Sequence, residues 1–554
     1  MSDCGCGDAN KVPSDGTAAL PAAEVQLHAE AQVPVAAALG THAEELLSHP
    51  MLTEHLDGTE HRLLSMHLVD EEGSAKRVAP CAPQHFEATI YDYTNNRVVE
   101  ARGAIANLDR GAPDQIEVCI LGHQPLPSRD EFAAAVEIVR HDRELRAQID
   151  DGLLQTYTPM PPLVDIERPD GRRERVVTVG LRTTNPDEPR HELVGVNMFD
   201  RQILRDLPGV VRDSDTVCEP PPGTDNCPST GHDGQVWITV TQGDQTLWRF
   251  LAVRPAASGG TNGSGVELRY LDYRGKRVLY RAHVPILNVE YESDGIGIGC
   301  GPTYRDWQNQ ETCFQADGTD VIPGVRLCST PAKTILDSGT DSGNFRGLAI
   351  YVDGPEVVLV SEMQAGWYRY ISEWRLHANG TIRPRFGFAG TQNPCTCHTH
   401  VHHVYWRLDF DIRTAGHNTV EEFNDPPIFA GSNWHTKTFE IRRPRDAGRS
   451  RRWRVKNALS GEAYTLIPGP TDGLATPYGV GDLWVLRYKS NEIDDGQGFS
   501  TDPATSRARI DNFLNPPEPV TDTDVVLWYA AHFAHDHAHE SGALIGPSLV
   551  PSQW

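Results

Sequence analysis

The chain of 554 residues lacks any apolar run long enough to span a bilayer. Its first ten residues carry acidic and cysteine side chains, without the basic flank and apolar stretch that are typical of a signal peptide. Basic residues are also scarce, since 50 Lys and Arg stand against 76 Asp and Glu, a net charge of -26. An acidic surface disfavours nucleic acid and anionic membranes as partners and suits cationic small molecules. We therefore predict a cytoplasmic protein that binds neither a membrane nor nucleic acid.

Helical periodicity is scarce in the second half of the sequence, and no repeat of fixed period is found. From residue 236 to the end, short alternating segments recur and favour a large β-sandwich. The stretch 208–234 is dense in Pro, Gly, Asp and Ser, as is typical of a boundary or a long loop. Ser128 begins a helical stripe that runs to Asp150. The prediction is a mainly β fold, a large C-terminal antiparallel β-sandwich preceded by two small α+β domains.

The predicted boundaries follow these changes in composition. Residues 1–80 are expected to form a mobile N-terminal tail with a short helix over 41–55, because the first 38 residues are rich in Ala, Pro, Gly and acidic groups. The two small domains are placed at 81–125 and 126–215, and the sandwich at 235–554.

The 11 cysteines are spread thinly and form no repeated pattern. Cys218 and Cys227 bracket a proline-rich loop and could pair, and so could Cys313 and Cys328, although thiols are more usual in a reducing compartment. The two cysteines of 395–397 are too close together for an ordinary structural disulfide. They are candidates for a soft metal or for free thiols.

Histidine is concentrated just after this cysteine pair. If the segment is a strand, His398, His400 and His402 project from one face and His403 from the other. A His-x-His pair can offer two imidazoles to one metal ion, and imidazole suits copper, zinc, iron or nickel. Metal-scavenging surface histidines are the alternative. A third nitrogen must come from elsewhere, and the candidates near the C-terminus are His532, His535, His537 and His539.

Several segments of the C-terminal half match one known pattern. Tyr368, in Gly-Trp-Tyr-Arg-Tyr-Ile, stands where that pattern has Asn-Tyr-Asp/Glu-Tyr, and His400-Val-His402 is followed after four residues by Arg-Leu-Asp409. Asp524-Val-Val-Leu-Trp precedes His535 at the corresponding spacing. Over about residues 80–554, the sequence resembles the copper amine oxidase family, whose fold has a copper-binding sandwich.

The resemblance implies one Cu(II) held by His400, His402 and His535. It implies that Tyr368 is the precursor of topaquinone, a quinone formed by copper and O₂ without another enzyme. A primary amine would be converted into aldehyde, ammonia and hydrogen peroxide at the expense of O₂, and the chain would form a homodimer. The resemblance also matches a second site for a hard cation such as Ca²⁺ to four residues, with surface acids as the alternative: Asp409, the Phe410 carbonyl, Asp411 and Asp524.

The proton-abstracting carboxylate is the least defined part of the predicted site. Asp294, before a glycine-rich stretch, is the nearest local match, with Tyr291 as a hydrogen-bond partner of the quinone. Their spacing is much shorter than in the family, so Asp306 and Glu311 are rivals, and a plain turn is the alternative for Asp294.

Two residues depart from the family pattern around Tyr368. Trp367 replaces the Asn that precedes the modified tyrosine, and Arg369 replaces the acid that follows it. These departures keep two alternatives open. One is a copper oxidase or oxygenase on the same scaffold, with Tyr368 unmodified or differently crosslinked. The other is a non-catalytic copper-binding homologue.

Overall fold

The structure is a computed structural model. It describes residues 25–31, 36–69, 76, 85–108, 116–121, 124–160, 162–167, 173–185, 191–205, 207, 223, 227, 234–291, 303–391, 399–497, 506–535 and 541–554. Strand is the dominant element in these ranges. Of the helices they contain, none has the length and apolar character needed to cross a membrane.

Within the first 121 residues, the described ranges contain one strand of the sandwich and a small four-stranded antiparallel sheet with its helices. These elements are β1 (Val25–Ala31), α1 (Ala36–Leu47), α2 (Pro50–Leu56), β2 (His61–Val69), β3 (His85–Asp92), β4 (Arg97–Ala104), α3 (Ile105–Leu108) and β5 (Ile116–Leu121). Leu46, Leu52, Phe86 and Val99 share the core of this unit. Two helices form where the sequence predicts one, because the residue before Pro50 is disfavoured in helical conformation.

The second small unit packs two helices on a five-stranded antiparallel sheet. Its elements are α4 (Arg129–His141), α5 (Arg143–Asp150), β6 (Leu154–Tyr157), β7 (Leu163–Glu167), β8 (Arg173–Thr183), β9 (His191–Asn197) and β10 (Gln202–Leu204). Ser128 caps α4 as predicted, and its hydroxyl accepts from the Glu131 amide at 3.1 Å. The predicted single helix is divided at Asp142, whose carboxylate accepts from the amides of Glu144 and Leu145 and so begins α5.

In the rest of the described chain, nearly all the regular elements are strands. Its strands are β11 (Gln235–Gln242), β12 (Gln245–Val253), β13 (Glu267–Tyr273), β14 (Lys276–Tyr291), β15 (Thr303–Arg305), β16 (Thr319–Ile322), β17 (Val325–Leu327), β18 (Leu348–Asp353), β19 (Glu356–Ala365), β20 (Tyr368–His377), β21 (Ile382–Gly390), β22 (His400–Phe410), β23 (Asn418–Phe423), β24 (Trp434–Lys437), β25 (Ile441–Arg443), β26 (Arg452–Asn457), β27 (Ala463–Ile467), β28 (Leu483–Arg487), β29 (Val525–His535), β30 (Ser541–Ile545) and β31 (Ser548–Ser552). A single helical turn, α6 (Ile335–Ser338), lies between β17 and β18.

These strands form two large sheets. One has ten strands in the order β1-β11-β12-β13-β14-β22-β29-β28-β25, with β15 paired to β14. The other has twelve, in the order β16-β17-β18-β19-β20-β21-β31-β27-β26-β23-β24, with β30 paired to β21. All the described pairs are antiparallel except β17 with β18. One hydrophobic core contains residues of both sheets. The predicted mainly β, sandwich-containing fold class is confirmed.

Strands β22 and β29 lie in the middle of the ten-stranded sheet and are buried on both faces. One face contributes Val404, Leu408 and Leu527 to the main core. On the other face, Tyr405 and Trp528 pack in a second cluster. Double burial explains the apolar and aromatic run of β29 from Val525 to Ala531, whereas β22 also carries five buried polar side chains: His400, His402, His403, Arg407 and Asp409.

The two sheets are also tied by hydrogen bonds from buried aromatic side chains. The indole of Trp374 on β20 donates to the Val266 carbonyl at 2.9 Å, next to β13. Trp248 on β12 donates to the His377 carbonyl at 3.1 Å. These bonds satisfy the polar edge of large apolar rings, so the rings both fill the core and fix the position of β20.

Two further sequence interpretations differ from the structure. Within the predicted tail of residues 1–80, Val25–Ala31 pairs with β11 along its whole length, and β2 belongs to the first small sheet. Cys313 forms a disulfide with Cys227 and not the possible one with Cys328, which is a free thiol. The partner proposed for Cys227, Cys218, lies outside the described residues. Sequence order does not show these contacts, because each joins distant segments.

Candidate metal centre

Three imidazoles meet where β22 and β29 pair. His400 is directly opposite His535 in the antiparallel register, and His402 follows on the same face of β22. One ring nitrogen from each of the three lies within 4.8 Å of the others. All three side chains are buried, with exposed fractions of 1% or less. The convergence predicted from the sequence is therefore present.

The chemistry of this cluster fits a metal ion. Nδ1 of His535 lies 3.1 Å from Nε2 of His400, so two ring nitrogens face one another. Among the described residues, the buried Nε2 of His402 has no hydrogen-bond partner. Burial, followed by the nearby His400 and His535, lowers the pKa of His402 well below its usual value. A neutral imidazole with an unused lone pair is the form that binds a transition metal.

Tyr368 stands beside the three imidazoles. It begins β20 and is fully buried, and its hydroxyl makes a short hydrogen bond with Nε2 of His400. The centroid of its ring lies 4.9 Å from that of His402 and 6.0 Å from that of His535. The phenol is thus in contact with the nitrogen that would bind the metal, in an environment from which water is excluded.

A second tyrosine links the centre to a carboxylate. The Tyr370 hydroxyl donates to Oδ2 of Asp306 and lies 3.2 Å from Nδ1 of His402. Because its hydrogen points to Asp306, the Tyr370 oxygen accepts from Nδ1–H of His402. That tautomer leaves Nε2 of His402 without a proton and free for a metal.

Asp306 has the properties expected of a proton acceptor. It is fully buried, and its Oδ1 has no hydrogen-bond partner among the described residues. Burial raises the pKa of Asp306 to about 8, against the opposing effect of the hydrogen bond from Tyr370. A pKa near neutrality suits general acid–base work. Its rival Glu311 instead pairs with the Arg254 guanidinium, Oε1 lying 2.8 Å from Nε, and is engaged in the core.

The two residues that depart from the family pattern both have structural partners. Arg369 makes two hydrogen bonds, of 2.7 and 2.8 Å, to the carboxylate of Asp341. Although burial acts in the opposite direction, Arg369 lowers the pKa of Asp341 below its usual value. Arg369 also donates to the Tyr368 carbonyl at 3.1 Å, and the Trp367 ring lies 6.4 Å from the Tyr368 ring. Together with a further hydrogen bond to the Gly366 carbonyl at 3.3 Å, the Arg369 guanidinium holds the backbone around Tyr368.

Several residues of the predicted site are not described by the structure, either entirely or in their side chains. Asp294 is among them, and so are the cysteine pair of 395–397 and His398. The backbone of Tyr291 ends β14, directly opposite His400, but its side chain is not described. The roles assigned to Asp294 and Tyr291 therefore stay predictions.

His403 and His532 form a separate buried pair on the opposite face of β22. Their Nδ1 atoms lie 2.7 Å apart, His403 faces Glu290 and His532 faces Asp482. His532, one of the candidates for a third ligand, therefore does not join the metal cluster. Of the other candidates, His537 and His539 lie outside the described residues.

The four residues predicted for a second cation lie together at the other end of β22. The carboxylates of Asp409, Asp411 and Asp524 have oxygens within 4.8 Å of one another, and Phe410 is buried between the first two. All three carboxylates accept a hydrogen bond from Nζ of Lys76. The sequence does not point to this lysine, because 333 residues separate it from Asp409 and no local motif marks it.

No protein-family model matches the sequence, and no curated protein matches it either. Solved structures do match. A copper-containing benzylamine oxidase from Hansenula polymorpha aligns with a TM-score of 0.61 at 13% identity, over 92% of this chain and 96% of that one. The chain shares the fold of copper-containing amine oxidases.

Two further structures agree with this result. A lysyl oxidase from Pichia pastoris aligns with a TM-score of 0.54 at 12% identity, over 95% of this chain and 89% of that one. An amine oxidase from Aspergillus nidulans aligns with a TM-score of 0.50 at 14% identity, over 92% and 87% of the two chains. At such low identities the likeness establishes the fold, and activity has to be argued from the site.

Proposed function

We propose that this protein is a copper-dependent amine oxidase that deaminates a primary amine with a quinone derived from Tyr368. The observation that carries the proposal is the contact of the buried Tyr368 hydroxyl with His400, inside the cluster that His402 and His535 complete. A metal bound there would touch the phenol. The shared fold adds support, since its solved examples include copper-containing amine oxidases.

Copper would supply the O₂ chemistry that turns the phenol into a quinone, and the quinone would supply the carbonyl that condenses with the amine. The three imidazoles would hold the metal, and Tyr370 would keep His402 in its ligand tautomer. Asp306 would take the proton from the carbon next to the substrate nitrogen, at its unpaired Oδ1. The amine, water and O₂ would be converted into the aldehyde, ammonia and hydrogen peroxide.

Burial of the centre serves this chemistry in two ways. It excludes water from Tyr368, whose exposed fraction is 0%. It also raises the pKa of Asp306 to about 8, close enough to neutrality for the ionised carboxylate to take a proton and the carboxyl to return it. We also propose that the chain forms a homodimer, as the family resemblance implies. The acidic surface supports a small cationic amine as the substrate.

The test compares copper-loaded, aerated wild type with Tyr368→Phe. We expect wild type to react with phenylhydrazine to give a coloured adduct and to consume O₂ when primary amines are added. Tyr368→Phe should bind copper and do neither. A variant that oxidises amines as fast as wild type would refute the proposal, because phenylalanine cannot become the quinone.

One observation favours a second candidate function. Tyr368 is surrounded by Trp367 and by the ring of Phe388 at 5.9 Å, and Arg369 holds its backbone. Such confinement limits the ring turning that conversion into a quinone requires. A copper oxidase with an unmodified Tyr368 is the alternative, and copper-dependent O₂ consumption without a phenylhydrazine adduct would identify it.

A further inference from the structure

The three-carboxylate cluster at the far end of β22 contains a cation that the chain itself supplies. Nζ of Lys76 lies 2.6 Å from Oδ1 of Asp411 and 2.6 Å from Oδ1 of Asp524, and it also donates to Asp409. An ammonium group has three donors and no acceptor, so each of its hydrogens meets one carboxylate. The Lys76 side chain is only 5% exposed, and that of Asp409 is fully buried.

Two aromatic rings complete the surroundings of this ammonium. Nζ lies 4.3 Å from the centroid of the Tyr488 ring and 5.1 Å from that of Tyr280. The face of an aromatic ring attracts an organic cation. A hard divalent ion such as Ca²⁺ instead needs about six to eight oxygen ligands. The two rings therefore add to the attraction that holds an ammonium at this point.

The cluster already contains two positive charges without a metal. The three carboxylates face Lys76, and Nη1 of Arg407 lies 3.3 Å from Oδ2 of Asp409. Although burial acts in the opposite direction, the carboxylates raise the pKa of Lys76 above its usual value, so the lysine keeps its charge. Nζ occupies the point at which the oxygens converge, and a second cation cannot share it.

The position of this cluster connects it to the metal centre. Phe410 pairs with Val525 at one end of β22 and β29, and His400 pairs with His535 at the other, roughly 30 Å away at the rise of a strand. Asp409 and Asp411 lie at the end of β22, and Asp524 directly precedes β29. The ammonium therefore joins the two strands at one end, as a metal would at the other.

We propose that the Lys76 ammonium is the resident cation of the Asp409–Asp411–Asp524 cluster, that it excludes divalent metal, and that it anchors residue 76 to strands β22 and β29. This inference does not depend on amine oxidation. Removing the ammonium while keeping the carboxylates should convert the cluster into a divalent-cation site.

The first test measures calcium by mass spectrometry after equilibrium dialysis of the copper-loaded full chain against Ca²⁺. Lys76→Met should gain about one Ca²⁺ per chain, and Asp409→Asn added to it should remove that ion. Wild type should bind no more Ca²⁺ than Lys333→Met, the matched change at an exposed lysine. Equal binding by wild type and Lys76→Met would overturn the proposal, as would a folded Lys76→Met that gains none.

The second test needs no variant and holds even if Lys76→Met does not fold. Amine acetylation of native wild type, followed by peptide mass spectrometry, should modify the exposed Lys333 and leave Lys76 unmodified until the protein is denatured. Addition of Ca²⁺ should not change this protection. Acetylation of Lys76 as fast as Lys333, or its exposure by Ca²⁺, would contradict the proposal.

Discussion

Asp306→Asn separates proton abstraction from every other function of the site. The change keeps the size of the side chain, and the amide oxygen can still accept from the Tyr370 hydroxyl, so the tautomer of His402 should be preserved. The side chain loses its ability to take a proton. A positioned general base contributes about 10²- to 10⁴-fold in rate, which corresponds to about 2.7–5.4 kcal/mol of transition-state stabilisation. We expect kcat/KM to fall by that factor.

The assay follows amine-dependent O₂ consumption across pH, with phenylhydrazine titration as the measure of quinone. Wild type should speed up as pH rises through about 8, because burial keeps the Asp306 carboxyl protonated, and so inactive as a base, below that value. Asp306→Asn should lack this limb and still form the hydrazine adduct. Asp522→Asn, at an exposed carboxylate paired with His417, is the control and should match wild type. A rate for Asp306→Asn within tenfold of wild type would refute the assignment.

Three further predictions concern stability. Arg369→Ala leaves the Asp341 carboxylate buried without its partner. It should lower the free energy of unfolding, measured by urea denaturation, by about 3–5 kcal/mol. A loss below about 1 kcal/mol, which is typical of surface pairs, would contradict the buried pairing. Reducing the Cys227–Cys313 disulfide should lower the free energy of unfolding by about 2–5 kcal/mol, measured with and without reductant, and a non-reducing peptide map without this crosslink would show the pairing to be wrong. Trp374→Ala should destabilise by about 3–5 kcal/mol, and an unchanged urea midpoint would show that this ring does not tie the sheets together.

Sequence patterns predicted the parts of the site that lie on single strands. His400 and His402 share a face because strand side chains alternate, and that holds in any strand that contains them. The third imidazole required a choice among four C-terminal histidines, which the motif spacing resolved in favour of His535. The structure supports that choice, since His535 lies opposite His400 and His532 lies on the other face.

Contacts between distant segments could not be predicted from the sequence. Lys76 meets the carboxylates across 333 residues or more, and Cys227 meets Cys313 across 86. Neither contact has a local spacing that could reveal it. For a related reason, the sequence could not decide between Asp306 and Glu311 as the base. The two are distinguished by what packs around them: Asp306 is buried beside Tyr370, whereas Glu311 forms a salt bridge with Arg254. Location in the cytoplasm stays a prediction that no structural feature tests.

The most direct measurement of the central claim is peptide mass spectrometry across Tyr368, before and after the metal-free protein is exposed to copper and air. We predict that residue 368 gains two oxygen atoms and loses two hydrogens, as conversion of the phenol into topaquinone requires. The change should be absent without copper and absent in His402→Ala, which lacks one of the three converging imidazoles. An unmodified tyrosine mass at residue 368 in protein that has bound copper and reacted with air would contradict the account.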